Sequence, residues 1–435
     1  MANVIPFKGL RYNTELVGNL NDVTAPPYDI ISPEQQDALY EKSEYNIVRV
    51  DYGKTYETDD EKNNKYTRAG EMFASWIEKG ILKKDEKPAF YIYEQVFEYN
   101  RTPISLKGII SLVEIVEFDK KIVLPHENTL SKAKTDRFDL MSTTDANLSQ
   151  IYSLYLDEDK AVEKLINEYS SGKPDVSFVT DDNITQNIWI ISDSEKTAKI
   201  SEQFKNKQLF IADGHHRYET ALNFRNKKRE ENPDAKDAPY DYVMMMLTSM
   251  EDSGLLVFPT HRMIKNLPEF DENVITSCLT EDFAVSKIYF TEGDYAKIIM
   301  EKISSVLDEK CFALYTGKDY YYRFELKNTD AINNYITDMS SAYKNLDVTL
   351  LHTLVLERFF GIDSANMANQ KNLFYTRDAK EAIEAVKSGE YQCSFLINAT
   401  SVAEIKEVSL ANEKMPQKST YFWPKLVTGI VINKF

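Results

Sequence analysis

The stretch Phe210-Ile211-Ala212-Asp213-Gly214-His215-His216-Arg217-Tyr218-Glu219-Thr220-Ala221-Leu222 joins a short apolar run to a helical pattern through one glycine. Gln208 to Ala212 predicts a buried strand that ends at Asp213-Gly214. Tyr218, Ala221 and Leu222 recur at helical spacing and predict a face turned to a core. The first turn of such a helix carries free N–H groups, and its dipole favours anions. Gly214 allows a close backbone approach to a ligand, and His216 and Arg217 add donors. Two of the five histidines of the chain stand side by side here. A plainer reading, a helix start with a solvated arginine and a packed histidine, stays open at this level.

Outward from this segment the pattern is mixed. Thr24-Ala25-Pro26-Pro27-Tyr28-Asp29 is irregular or extended, because two prolines fix φ and remove donors. Ser32-Pro33-Glu34-Gln35 opens a helix with a capping box. A second helix is predicted from about Asp60 to Lys79, with Tyr66, Ala69, Phe73, Trp76 and Ile77 on one face and Gly80 ending it. Ala89–Phe97 and Lys107–Ile115 predict strands, with Tyr99-Asn100-Arg101-Thr102 as a hairpin turn. Val123–Gln150 reads as loop and short helix. Tyr242–Leu247 and Leu255–Pro259 read as strands, and the charged stretch 230–237 as an exposed linker. Further on, Phe312–Tyr315 and Tyr321–Leu326 form a strand pair. Val348–Phe359 is an amphipathic helix led by Asp347, and Ser394–Ile397 a buried strand. The mixture predicts an α+β fold rather than a regular βαβ series.

Two other segments carry chemistry. In Leu124-Pro125-His126-Glu127-Asn128 the proline ends a strand and places Glu127 in a polar loop. A carboxylate there can accept a proton from a hydroxyl or hold a metal ion, although an ordinary loop acid has the same local sequence. Lys132, Lys134 and Arg137 follow, as phosphate-neutralising cations or a solvated face. In Met415-Pro416-Gln417-Lys418-Ser419-Thr420-Tyr421-Phe422-Trp423-Pro424-Lys425, an ammonium, two hydroxyls and backbone N–H groups suit a carboxylate or phosphate, or a capped turn. His261 and His352 flank apolar runs and read as packing residues. Neither a P-loop nor a protein-kinase motif set occurs.

The chain has 435 residues, 43% of them hydrophobic, which excludes global disorder and predicts two or three domains. A formal charge of −17 without a basic block argues against nucleic-acid binding. The cysteines Cys278, Cys311 and Cys393 form no close pair, which fits a reducing compartment. The amino-terminal residues lack a signal-peptide pattern, and no run of eighteen apolar residues occurs. A cytoplasmic protein without a membrane segment is expected.

The landmarks Pro26-Pro27-Tyr28-Asp29, Leu124-Pro125-His126-Glu127, Asp213-Gly214-His215-His216-Arg217, Pro259-Thr260-His261-Arg262 and Met415 to Phe422 resemble a large prokaryotic family of unknown function, family 1015, over nearly the full length. The Asp-Gly-His-His-Arg run is similar to the phosphate-binding motif of the ParB/sulfiredoxin superfamily. The resemblance implies a ParB/sulfiredoxin-like nucleotide-binding core over 86–265, an N-terminal α/β unit over 1–85 and a C-terminal α+β substrate-binding domain over 266–435. From about Lys120 onward the chain also resembles free L-serine kinases, which share a Pro-His-Glu step, the Asp-Gly-His-His-Arg motif and a late Lys-Thr-Thr loop in that order.

That likeness implies phosphoryl transfer from ATP or ADP, with Mg²⁺, to the hydroxyl of free L-serine. Glu127 matches the general base, and Asp213 and His216 match residues near the reacting phosphates. Gly214, His215 and Arg217 match the phosphate-binding turn, and Lys418, Ser419 and Thr420 the substrate loop. One departure stands out: where those kinases continue with Arg and His, this chain has Tyr421 and Phe422, and Arg262 or Lys425 is a candidate replacement cation. The same motif argues against sulfiredoxin chemistry, because His215 stands where the reactive cysteine belongs. Competing readings are a CTP-dependent ParB-like switch that partners DNA, a small-molecule kinase with another acceptor, and an inactive interaction protein.

Overall fold

In the computed structural model, nine described strands form a mixed sheet, and its order explains how the Asp213 turn is placed. The structure describes residues 1–129, 131–305, 310–363, 366–367 and 371–435, and the side chains of Ser131 and Lys132 lie outside that description. The chain folds into two compact units, 1–125 with 129–256 and 424–435, and 126–128 with 257–423.

The sheet of the first unit runs Val123–Leu124, Leu209–Asp213, Ile151–Tyr155, Tyr242–Ser249, Thr102–Glu114, Phe90–Tyr99, Thr185–Ile191, Val176–Val179, and Val4–Ile5 pairs with Thr102–Glu114 beyond the end of Phe90–Tyr99. Parallel pairs (Leu209–Asp213 with Val123–Leu124, Tyr242–Ser249 with Ile151–Tyr155) alternate with antiparallel ones, which makes the class α+β. The hairpin forms as its sequence predicts. Asn100 and Arg101 take φ of 51° and 63°, the left-handed pair that a two-residue turn between twisted strands requires. The core on this sheet gathers Phe90, Ile92, Ile109, Ile211, Tyr218 and Met245, all buried.

Helices cover the sheet. Ser32 and Gln35 form the predicted capping box of Pro33–Lys42. The second helix spans Lys65–Glu78, later than the expected start at Asp60, because Asn64 caps it with Thr67. Gly80, at φ 71°, follows its end. The expectation of loop and short helix over Val123–Gln150 is corrected: Ser131–Thr144 is a helix of 14 residues. It packs on Lys65–Glu78 and on His215–Glu231. Its own pattern is weakly amphipathic. Partners hold it instead: Lys65 and Tyr66 bind Asp136, Lys134 pairs with Glu219 at 2.8 Å, and Arg137 with Asp51 at 3.0 Å. The stretch 230–237 is exposed throughout, as its charge implies.

The second unit is built on an antiparallel sheet ordered Phe283–Tyr289, Tyr320–Leu326, Cys311–Tyr315, Cys393–Ile397, His261–Ile264, Leu373–Thr376. Alternation sorts its strands between two cores. Phe312 and Leu314 face one, Cys311, Ala313 and Tyr315 the other. Helical residues Asp347–Leu351, His352–Glu357 and Arg358–Phe360 follow one another, and the middle segment has π geometry. Asp347 leads them, as expected, as the first helical residue, and its carboxylate pairs with Lys310 at 3.2 Å.

Candidate functional site

In the first unit the strand Leu209–Asp213 ends at Gly214, which takes φ 95° and caps the helix His215–Glu231. A Cβ at Gly214 would meet the Arg217 guanidinium at 2.9 Å, so only glycine leaves room for Arg217 to fold back over the turn. Arg217 does fold back. Its Nη2 donates to Asp213 Oδ2 at 2.7 Å, and its Nη1 to the Gln150 carbonyl at 2.6 Å and to Ser149 Oγ at 3.1 Å. Its guanidinium is thus spent on protein partners, contrary to a side chain aimed outward at an anion. Lys425 Nζ donates to the other oxygen, Asp213 Oδ1, at 2.5 Å. Burial disfavours the charge on Asp213, but Lys425 and Arg217 outweigh it and hold the carboxyl well below the usual carboxylate range. His215 is buried and His216 half-buried in the first helical turn.

Residues without a clear local signal join this cluster. Arg137 is neither a solvated face nor an outward phosphate binder: it is buried, pairs with Asp51 and Asp136, and stacks over the Tyr28 ring at 3.9 Å. Burial, eased by Arg137, pushes the Tyr28 phenol up to about 12. Asp51, Arg137, Ser149 and Arg217 line a small cavity of about 40 Å³. The double-proline loop thus supplies Tyr28 to the ion-pair cluster next to Arg217. Only the Pro-Pro-Tyr-Asp motif hinted at it.

In the second unit, motifs nearly 300 residues apart meet. The Met415 N–H donates to the His126 carbonyl at 2.7 Å, and Glu127 bridges Met415 in parallel. The Lys418 N–H donates to Glu127 Oε1 at 3.0 Å, and His126 Nε2 lies 3.1 Å from Thr420 Oγ1. Lys418 takes φ 57°, a left-handed conformation uncommon outside glycine, and its side chain is exposed. Ser419 is buried: its hydroxyl donates to the Pro416 carbonyl at 2.5 Å, and its own carbonyl accepts from Thr400. Its hydroxyl therefore stiffens the loop.

Two arginines from elsewhere in the chain meet this loop. Arg377 lies over the Tyr421 ring at 4.0 Å. Arg262, fully buried, donates from Nη2 to the Lys418 carbonyl at 3.3 Å. Burial pushes the Arg262 guanidinium down to about 10. Arg377, just after the strand Leu373–Thr376, carries no signal in the sequence, since only the fold brings it to Tyr421.

His261 and His352 are both buried, as read. His261 Nδ1 accepts the Ile397 N–H at 3.3 Å. The three cysteines are free thiols. Among the described residues no His, Cys, Asp or Glu side chains form a group of three able to hold a metal ion, and no helix is long and apolar enough to cross a membrane.

No curated protein sequence matches the chain. A free serine kinase in complex with AMP superposes with a TM-score of 0.35 and 14% identity, over 72% of this chain and 86% of that one. A conserved hypothetical protein from Pyrococcus furiosus gives 0.34 and 15%, over 73% and 92%. SbnI with C-terminal truncation from Staphylococcus aureus gives 0.33 and 10%, over 73% and 85%. The model of the family described as "Protein of unknown function (DUF1015)" matches residues 4–349, and with four-fifths of its length inside that match, the chain belongs to this family.

Proposed function

We propose that this protein is a nucleotide-dependent phosphotransferase that phosphorylates the hydroxyl of a small metabolite, free L-serine. The observation that carries the reading is the meeting of Glu127 with the Lys418–Thr420 loop, 291 residues away in the chain, through the 3.0 Å hydrogen bond. The sequence resemblance pairs the same two segments as base and substrate loop.

In this reading Glu127 accepts the proton of the substrate hydroxyl. The freed oxygen forms a bond to the terminal phosphorus, and the bond from that phosphorus to the bridging oxygen breaks, leaving its electron pair on the nucleotide. The nucleotide phosphates lie at the first turn of His215–Glu231, where Gly214 and the helix N–H groups, with His215 and His216, receive negative charge. Arg217 and Lys425 act by fixing Asp213, so they position the turn rather than touch phosphate. Lys418 and Thr420 flank Glu127 and hold the acceptor. Catalysis of this kind rests on positioning and electrostatics.

The Mg²⁺ that the resemblance implies finds no fit at Asp213, because both carboxylate oxygens face cations. The test is ³¹P NMR with L-serine, Mg²⁺ and either ATP or ADP. A serine-dependent phosphomonoester resonance is expected and identifies the donor. Nucleotide consumption that other hydroxyl metabolites support and L-serine does not would move the acceptor elsewhere, and no transfer at all would end the reading.

A further inference from the structure

Arg262, in the strand His261–Ile264, is 0% exposed, and among the described residues no carboxylate pairs with it. Its Nε donates to His352 Nε2 at 3.3 Å, its Nη1 to the Thr260 carbonyl, and its Nη2 to the Lys418 carbonyl at 3.3 Å. A guanidinium only donates, so His352 Nε2 must hold a lone pair. Burial, and then the charge of Arg262, hold His352 well below its ordinary range, so the ring is neutral. A neutral ring that accepts at Nε2 carries its proton on Nδ1. That Nδ1 is buried and has no hydrogen-bond partner among the described residues, and His352 itself is 6% exposed.

His352 also opens the π segment His352–Glu357, a geometry that recurs at functional sites. A cavity of about 500 Å³ lies against it, lined also by Tyr335, Tyr343, Arg358, Lys414 and Gln417. That volume suits a metabolite. Arg358 is partly neutralised by Asp282 at 2.5 Å, but Arg262 behind the ring is not neutralised by any described acid. A buried positive charge without a carboxylate calls for an anion.

We propose that this cavity of the second unit binds a small carboxylate metabolite, one oxygen of which accepts the His352 Nδ1–H, while Arg262 fixes the tautomer and supplies positive charge from behind. Nothing in this requires a nucleotide, so it stands apart from the phosphotransfer reading.

The test uses the full chain labelled with ¹⁵N-histidine, whose five rings give a readable spectrum. L-serine, L-aspartate, succinate and acetate are titrated without nucleotide, against sodium chloride at matched ionic strength. At least one carboxylate is expected to shift the His352 Nδ1 resonance saturably. His352→Gln keeps an acceptor for Arg262 and removes the Nδ1 donor, so affinity should fall about tenfold or more. His352→Asn keeps a donor near the Nδ1 position and should lose less. A response to L-serine alone would make the cavity the acceptor pocket, and a response to dicarboxylates alone would make it a separate site. Either supports the proposal. The absence of any His352 shift up to about 10 mM, well beyond metabolite affinities, overturns it, as does undiminished affinity in a folded His352→Gln protein. If that variant does not fold, the titration of the unaltered chain decides.

Discussion

Asp213 sits between two cations, with 18% of its side chain exposed and Lys425 10% exposed. Replacing Lys425 with Met leaves Asp213 with one partner and should cost about 2–3 kcal/mol in urea unfolding. Because the folded pKa of Asp213 is depressed, the stability it contributes is full above about pH 4 and is lost only as pH falls further. The buried histidines act in a different window. Burial and the neighbouring Arg262 push His261 down to about 4. The unfolded chain therefore takes up a proton below about pH 6.5 that the folded chain refuses, so stability rises with pH between about 4 and 6.5, by about 3 kcal/mol for this one group. His352 adds to the same slope. His261→Asn keeps an acceptor for the Ile397 N–H and should flatten the slope by about one proton in urea titrations across that range. At Glu127, substitution by Gln should lower turnover by about 10²–10⁴-fold while nucleotide affinity, read by calorimetry, is kept. Near-normal turnover would remove Glu127 from the base role.

At the scale of elements, the hairpin turn and the Gly214 turn are both held by φ > 0. Arg101 at φ 63° has a side chain where the turn favours glycine, so Arg101→Gly should raise stability by about 0.5–1 kcal/mol, seen as a higher Tm. Gly214→Ala does the reverse. It strains φ 95° and drives a methyl into Arg217, and a loss of about 1–3 kcal/mol is expected by the same measurement. The strands, the capped helices and the hairpin were legible because their signals are local: β-branched alternation, a Ser–Gln box, a two-residue turn. The helix Ser131–Thr144 was not. Its apolar residues make no clear face, and contacts with other elements place it: Leu140 and Met141 bury in the core, and Asp51, Lys65 and Glu219 pair with its charged side chains.

For the whole molecule, chain crossing decides what can be cut. The first unit takes in residues 424–435, which bring Ile432 to its core and Lys425 to Asp213. A fragment of residues 1–256 should therefore be poorly folded by circular dichroism and hydrogen exchange, and a peptide of residues 424–435 added to it should restore protection. A fully protected fragment without the peptide would show that this segment is dispensable.

The sequence alone determined the α+β class, the family, the strand–Gly214–helix turn and the identity of the motif residues, because each depends on residues close in the chain or on ordered motifs. Only the tertiary structure decided that Arg217 turns inward to Asp213, that Lys425 rather than an outward cation completes that pair, that Glu127 meets Lys418, that Arg377 lies over Tyr421 and that Arg262 donates to the Lys418 carbonyl. Long cationic side chains reach several partners, and which one they take is set by burial and by which carboxylate or carbonyl the fold brings within about 3 Å, a choice that no local pattern encodes.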